Sequence, residues 1–240
     1  MGILKNYVDK RLNYGRNHIK NFTTNIADNS IIVDIGAGFG DDLLTIKSNN
    51  PNVQLEAVEA YRPFHEGLKN KGIRVHNVNI ERGILPFEDQ SVDVILCNQI
   101  LEHCKEIWWI LHEISRVLKV GGLLIVGVPN LASLHNRFLL LFGHQPTAIQ
   151  NNSAHVRGYT KNDFIKFLNS GFENGYSLKD FGGGNFYPFP PGIAKVLARF
   201  FPKMAVGIFF KFYKEKNYKN SFLSYPMNRR LQTNFYVGKS

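Results

Sequence analysis

The stretch VDIGAGFGD (33–41) sets the architecture, because it closes an apolar, β-branched run and then places Gly36, Gly38 and Gly40 within five positions. A strand that runs through a glycine-rich turn into a helix aims backbone N–H groups and a positive helix end at one spot. Glycine removes the Cβ that would hold a ligand away. A dinucleotide loop of G-x-G-x-x-G spacing would need its third small residue at position 41, which is Asp41. The spacing here is G-x-G-x-G, so a pyrophosphate cradle is the weaker reading. Glu59 follows Asp34 by 25 residues, at the end of the next apolar run. A carboxylate at that place can accept both hydroxyls of a ribose. The pair speaks for an adenosine-containing ligand and is silent on the reaction.

Outward from this loop, residues 31–128 alternate short apolar runs with helical patterns, the signature of parallel βαβ units. The runs are IIVDI (31–35), VQLEAVE (53–59), IRVHNVN (73–79), VDVILCN (92–98) and LLIVGV (123–128). Helices are predicted near 41–49, 63–71 and 104–119, with Gly121-Gly122 closing the last one. Residues 3–22 form an amphipathic helix or helix pair, and 131–142 and 160–169 read as helices, the latter capped by Thr160. FENGYSLKD (172–180) and QTNFYVG (232–238) read as two late antiparallel strands separated by a long insertion. The expectation is one domain over 1–240, comprising an N-terminal helical cap (1–30), a cofactor-binding core (31–180), a helical lid (181–228) and a last strand (229–240).

Composition narrows the class. The 240 residues include 44% apolar ones, enough for one sizeable core. The formal charge of +10 is unevenly spread: residues 131–240 hold 15 Lys and Arg against 4 Asp and Glu, whereas 31–130 are net acidic. Two cysteines and no charged start followed by an apolar signal segment point to a reduced, cytoplasmic location.

Three further stretches are NIERGILPFEDQSVDVILCNQILEHC (79–104), RVLKVGGLLIVGVPN (116–130) and HVRGYTKNDFIKFLNSGFE (155–173). With the glycine loop and in this order, they resemble class I S-adenosylmethionine-dependent methyltransferases, in particular the small-molecule branch. The resemblance covers about 31–180 and implies an α/β, Rossmann-like, seven-stranded, mostly parallel sheet. Helices cover both faces, the seventh strand is antiparallel at the edge, and a helical insertion precedes it. It further implies that Asp34, Gly36, Gly38 and Gly40 surround the methionine part of S-adenosylmethionine, with S-adenosylhomocysteine as product. Glu59 would bind the ribose, Ala60 and Tyr61 would lie beside the adenine, and Asn79 with Ile80 would meet its amino edge. Asn79 replaces a carboxylate often found there and can accept the same hydrogen bond. Asn98 and Gln99 would face the sulfonium and the methionine tail.

Methyl transfer needs positioning and water exclusion, and a base only where the acceptor must lose a proton. His103, on the loop after the fourth strand, and His155, in HVRGYT, are the candidate bases; the alternative for each is a loop-tying hydrogen bond. No metal is expected, since Cys97, His103, Cys104 and His112 lack paired ligand spacing. The segment 186–216 interleaves phenylalanines with Lys195, Arg199, Lys203, Lys211, Lys214 and Lys216, and Pro202 splits it into two expected short helices. Such a face suits either a packed lid or dimer face, or peripheral membrane contact and a lipid-linked substrate. The leading function is methylation of oxygen or nitrogen on a small-molecule, sugar or lipid-linked acceptor. An RNA methyltransferase and a non-catalytic binding protein of the same fold are the alternatives. Nothing in the chain points to DNA.

Overall fold

The computed structural model describes residues 15–231 and 235–238. A seven-stranded sheet carries the chain in the order β3-β2-β1-β4-β5-β7-β6. Its strands are β1 (Ile31–Ile35), β2 (Gln54–Val58), β3 (Arg74–His76), β4 (Val92–Asn98), β5 (Leu118–Pro129), β6 (Tyr176–Gly184) and β7 (Gly207–Lys214). β1 pairs in parallel with β2 and β4, β2 with β3, and β4 with β5. β7 runs antiparallel to both β5 and β6. The order reverses between β1 and β4, the switch point where parallel sheets of this kind open a cleft beyond their carboxyl ends.

Alternation along the strands divides the apolar side chains between two cores. Val33, Ile35, Ile95 and Val126 face one core, built with α4 (Ile107–Val117), α6 (Lys161–Gly171) and α8 (Ser221–Asn228). Ile32, Val94, Leu96 and Ile125 face the other, with α1 (Arg16–Phe22), α2 (Asp41–Asn49) and α3 (His65–Asn70). α4 is buried on nearly every side, because α8 covers the face turned away from the sheet and stacks Tyr225 on Trp108 with ring centroids 4.7 Å apart. Each such large apolar side chain withdrawn from water contributes about 1.5–3 kcal/mol.

The expected α/β architecture stands, with three corrections. The last strand is β7, not 232–238. Residues 235–238 form no strand; Tyr236 instead donates its N–H to Glu106 at 2.7 Å and sets its ring on Trp109. Residues 232–234 lie outside the described residues, as does the expected helix before residue 15. The second correction concerns 186–216, where Pro202 does end a helix, α7 (Pro191–Phe200), but after one 3-10 turn (Pro202–Met204) the chain enters β7 rather than a second α-helix. Phe210, Phe212 and Lys214 alternate on one buried face, so the period is two and not 3.6. β7 is also no edge strand, since it threads between β5 and β6 and leaves β6 outermost. Thirdly, Gly121-Gly122 fall inside β5, and the helix before them ends at Val117.

α1 is held against the antiparallel strands. His18 pairs through Nε2 with the carbonyl of Gly183 at 2.9 Å and stacks on Phe209. A Cβ on Gly182 would collide with the His18 ring, and one on Gly15 with Phe209, so both glycines permit that docking. α5 (Leu134–Leu141) and α7 lie beyond the sheet end and meet through Leu134, Phe186, Ala194 and Ala198.

Candidate functional site

β1 ends at Ile35, and Gly36, Gly38 and Gly40 then all adopt positive φ, a region that costs a residue with a side chain about 1–2 kcal/mol. Their surroundings differ. A Cβ on Gly36 would lie 2.8 Å from Ile100, and one on Gly40 would lie 2.7 Å from Leu68 and 2.8 Å from Ile73. At those two positions the absent Cβ also lets Ile100, Leu68 and Ile73 pack close against the loop. Gly38 has nothing within 4 Å of the same position, so the turn opens there onto space a ligand can fill. Gly40 starts α2, whose first turn carries Asp41 and Asp42, as the positive helix end favours.

Glu59 closes the other side. Its Oε2 accepts the N–H of Gly38 at 2.9 Å and its Oε1 the N–H of Tyr61 at 2.8 Å, so one buried carboxylate ties the β1 loop to the β2 loop. A carboxylate offers about four acceptor sites, which leaves two for a pair of hydroxyls. Ala60 and Tyr61 are exposed beside it, and Phe39, Phe64 and Tyr61 form a ring cluster with centroids 4.6 and 5.0 Å apart. Asp34 is buried below the loop. Burial, reinforced by Asp42 and Glu59, holds its carboxyl well above the usual carboxylate range. A cation bound there would relieve that repulsion.

β4 supplies the third wall. Asn98 donates from Nδ2 to Asp42 at 2.7 Å, and Arg16 of α1 donates from Nε to the other oxygen of Asp42 at 2.9 Å. Gly127 on β5 leaves the room that the Asn98 side chain and Phe209 occupy. Gln99 stands at φ 57° and donates its N–H to Gly127 at 2.8 Å. A strained non-glycine residue at a strand end is a common mark of a functional site. Asn79 turns its side-chain oxygen back to the N–H of Glu81 at 3.0 Å and keeps one acceptor site. Ile80 packs half-buried at the edge of the first core.

The loop after β4 and the segment before α6 are stitched together. The Glu102 carbonyl accepts the N–H groups of Val156 at 2.8 Å and Arg157 at 3.2 Å. Arg157 donates to the carbonyls of Cys104 and Lys105, and the Tyr159 hydroxyl to Leu101. This places His103 and His155 edge to face, 4.7 Å apart. His103 is held below the usual histidine value, first by desolvation, so it is neutral near pH 7. Beside them Glu102 is only 1% exposed, and burial pushes its carboxyl up to about 7. The other sulfur and imidazole groups are engaged elsewhere: Cys97 is buried in β4, the Cys104 thiol donates to the Ile100 carbonyl, and His112 pairs with the Tyr218 hydroxyl.

A family model described as a methyltransferase domain matches residues 33–126, from the glycine loop to the end of the β5 apolar run. Over those residues the chain is similar to S-adenosylmethionine-dependent methyltransferases. It is 32% identical over 95 residues to a Mycobacterium tuberculosis protein named a probable S-adenosylmethionine-dependent methyltransferase. That match spans 40% of this chain and 33% of the relative. It is 30% identical over 166 residues to ribosomal RNA large subunit methyltransferase G of Colwellia psychrerythraea, over 62% of this chain and 41% of that one. The chain thus spans a third to two fifths of the length of these relatives. Among solved structures, an S-adenosylmethionine-dependent methyltransferase from Thermotoga maritima superposes with a TM-score of 0.58 at 17% identity, covering 85% of this chain and 90% of that one.

S-adenosylmethionine, which similar proteins use by name, fits the groups present. Glu59 has acceptor sites left for the ribose, Gly38 has open space beside it, and the carboxyls of Asp34, Asp42 and Glu59 lie close enough to one another that a bound cation would ease their mutual repulsion. Sequence reasoning missed Arg16, Phe39, Asp42, Glu102 and Gly127. Two of these carried a readable signal: an Asp pair in a helix first turn, and a Glu inside the apolar stretch ILEHC.

Proposed function

We propose that this protein transfers the methyl group of S-adenosylmethionine to oxygen or nitrogen of a small-molecule acceptor. The observation that carries the reading is Glu59, bridging Gly38 and Tyr61 at the carboxyl ends of β1 and β2 where Gly38 faces open space. When bound, the cofactor supplies an electrophilic methyl group. Asp34, Gly36, Gly38 and Gly40 would hold its methionine end, Glu59 its ribose, and Ala60, Tyr61, Asn79 and Ile80 its adenine. Asn98 and Gln99 would line the approach to the methyl. His103 and His155 flank the acceptor side, as the loop contacts around Glu102 hold them together.

For the acceptor, the α5 and α7 end favours a lipid-linked molecule at an anionic membrane surface. Phe138, Leu140, Leu141 and Phe142 of the α5 end, with Ile193, Val196, Phe200 and Phe201 of the α7 end, are all exposed. Neither 114–162 nor 181–214 contains a single Asp or Glu, while Arg137, Lys195, Arg199 and Lys203 lie among those apolar residues. Apolar insertion and attraction to anionic headgroups add on such a face. No helix among the described residues is long and apolar enough to cross a membrane.

The test has three arms. Calorimetry with S-adenosylhomocysteine should give one site, and no binding would make a non-catalytic fold relative the better account. Release of S-adenosylhomocysteine should appear with sugar, aromatic or lipid-linked acceptors. The protein should pellet with vesicles containing anionic lipid and lose this when Leu141 and Phe200 are changed to Ser. Absence of pelleting by the intact protein overturns the lipid surface. Because one relative acts on ribosomal RNA by name and the C-terminal half is basic, salt-dependent retention on RNA together with RNA methylation would replace the small-molecule reading.

A further inference from the structure

The stitched loops beside the proposed cofactor cleft leave one arrangement unexplained by hydrogen bonding. Glu102 is 1% exposed, yet its Oε2 has no hydrogen-bond partner. Its other oxygen lies 4.0 Å from Nε2 of His103. A carboxylate oxygen left unpaired in the interior is destabilising unless something else binds it.

The imidazoles beside it are oriented in a particular way. His103 meets the carbonyl of Ala154 through Nδ1 at 3.2 Å, and His155 meets the carbonyl of Ala148 through Nδ1 at 2.8 Å. A carbonyl only accepts, so each Nδ1 carries the hydrogen. The neutral ring then presents a lone pair at Nε2. This is how proteins prepare histidine for a metal: a backbone carbonyl fixes the tautomer and the ring orientation from behind. One donor atom from each of Glu102, His103 and His155 can be chosen so that all three lie within 4.8 Å of one another. Bonds of about 2.1 Å to a shared ion bring such donors to roughly 3–4 Å, a closure within reach of small side-chain rotations.

The geometry points to a divalent-metal site formed by Glu102, His103 and His155, holding a first-row ion such as Mn2+, Co2+ or Zn2+. Two imidazoles and one carboxylate select these ions over Mg2+ and Ca2+, which prefer oxygen alone. Local spacing spoke against a metal because Cys97, Cys104 and His112, which sit elsewhere, were the neighbours in view, while His155 arrives from 52 residues beyond His103. Three protein ligands leave coordination positions open. Ile100, two residues before Glu102, packs against Gly36 of the glycine loop, so the site lies close to the proposed cofactor cleft. Resting on the methyltransferase reading, the site then takes an oxygen of the acceptor and lowers the pKa of a hydroxyl there, the proton leaving to solvent. This favours oxygen over nitrogen as the methylated atom.

The experiment uses the full chain without an affinity tag, stripped with EDTA and titrated with CoCl2 in a calorimeter and a spectrophotometer. One ion per chain is expected, with visible absorption bands of cobalt bound by nitrogen and oxygen. His103→Ala and His155→Ala should each weaken binding at least tenfold, and Glu102→Gln likewise. Glu102 is buried and its variant can fail to fold, whereas His103 is exposed, so His103→Ala keeps the test decisive. His144→Ala, exposed and remote in role, should leave binding unchanged. Absence of stoichiometric binding by the folded protein, or undiminished binding in both histidine variants, overturns the site. S-adenosylhomocysteine binding is measured on the same samples: its presence without cobalt binding refutes only the metal, and cobalt binding without it upholds the metal site while refuting its role in methyl transfer.

Discussion

Replacing Glu59 with Gln tests the cofactor site most directly. The carboxylate accepts two backbone N–H groups, from Gly38 at 2.9 Å and Tyr61 at 2.8 Å, and keeps two acceptor sites toward the cleft. Glutamine supplies one oxygen and turns an NH2 toward the other N–H, so one loop amide loses its partner and a ribose hydroxyl loses a charged acceptor. A hydrogen bond to a charged group contributes about 1.5–3 kcal/mol against about 0.5–1.5 for a neutral one. The loss on the ligand side is therefore about 1–3 kcal/mol, or roughly 5- to 150-fold in dissociation constant. Calorimetry should use S-adenosylhomocysteine, whose sulfur is uncharged, so that sulfonium electrostatics do not enter. Urea unfolding without ligand separates the loop's own loss of stability. An analogue lacking the ribose hydroxyls should bind wild type and variant almost equally, since the interaction being removed is absent from it. A folded Glu59→Gln protein that binds S-adenosylhomocysteine within threefold of wild type refutes the ribose assignment.

The same geometry dictates other outcomes. Gly38→Ala should cost only about 1–2 kcal/mol of stability, the strain of positive φ, yet lower S-adenosylhomocysteine affinity at least tenfold, because its new methyl enters the open space; Gly40→Ala should cost more stability, through Leu68 and Ile73. Paired urea titrations and calorimetry read the contrast, and equal losses in both variants would remove the distinction. Lys214 is 1% exposed and donates to the carbonyls of Ser115 at 2.7 Å and Leu118 at 2.6 Å at the end of α4, where burial lowers its pKa to about 8. The unfolded lysine holds its proton to a higher pH, so stability should rise as pH climbs from about 8 toward about 10.5, by at most about 3 kcal/mol. In Lys214→Met that rise should vanish, measured as the difference in urea midpoint between wild type and variant at pH 7.5 and pH 9.5. Asp42→Ala removes the shared acceptor of Asn98 and Arg16 and should weaken cofactor binding severalfold by releasing both walls, while leaving the two cores intact; unchanged affinity would make Asp42 merely a surface anchor.

The parallel half of the sheet was legible in the amino-acid order alone, because those strands are buried on both faces and must be apolar runs set between helices. IIVDI and VDVILCN appear unchanged as β1 and β4, and Asp41–Asn49 forms the helix expected after the loop. Glu59 and the glycines are equally local: turn geometry and strand-end position are written within about thirty residues. Packing between distant segments settled the rest. GIFFKFYK is a strand because β5 and β6 hold it between them, and a short aromatic run carries both periods until a neighbour selects one. Residues 235–238 lie on α4 rather than in the sheet for the corresponding reason, since the place they were expected to fill is taken by β7. The same holds for the meeting of Glu102 and His103 with His155, and of Asp42 with Arg16 and Asn98. Such contacts join residues far apart in the chain, and no local spacing encodes a distance that is set by how loops pack across the carboxyl ends of a sheet.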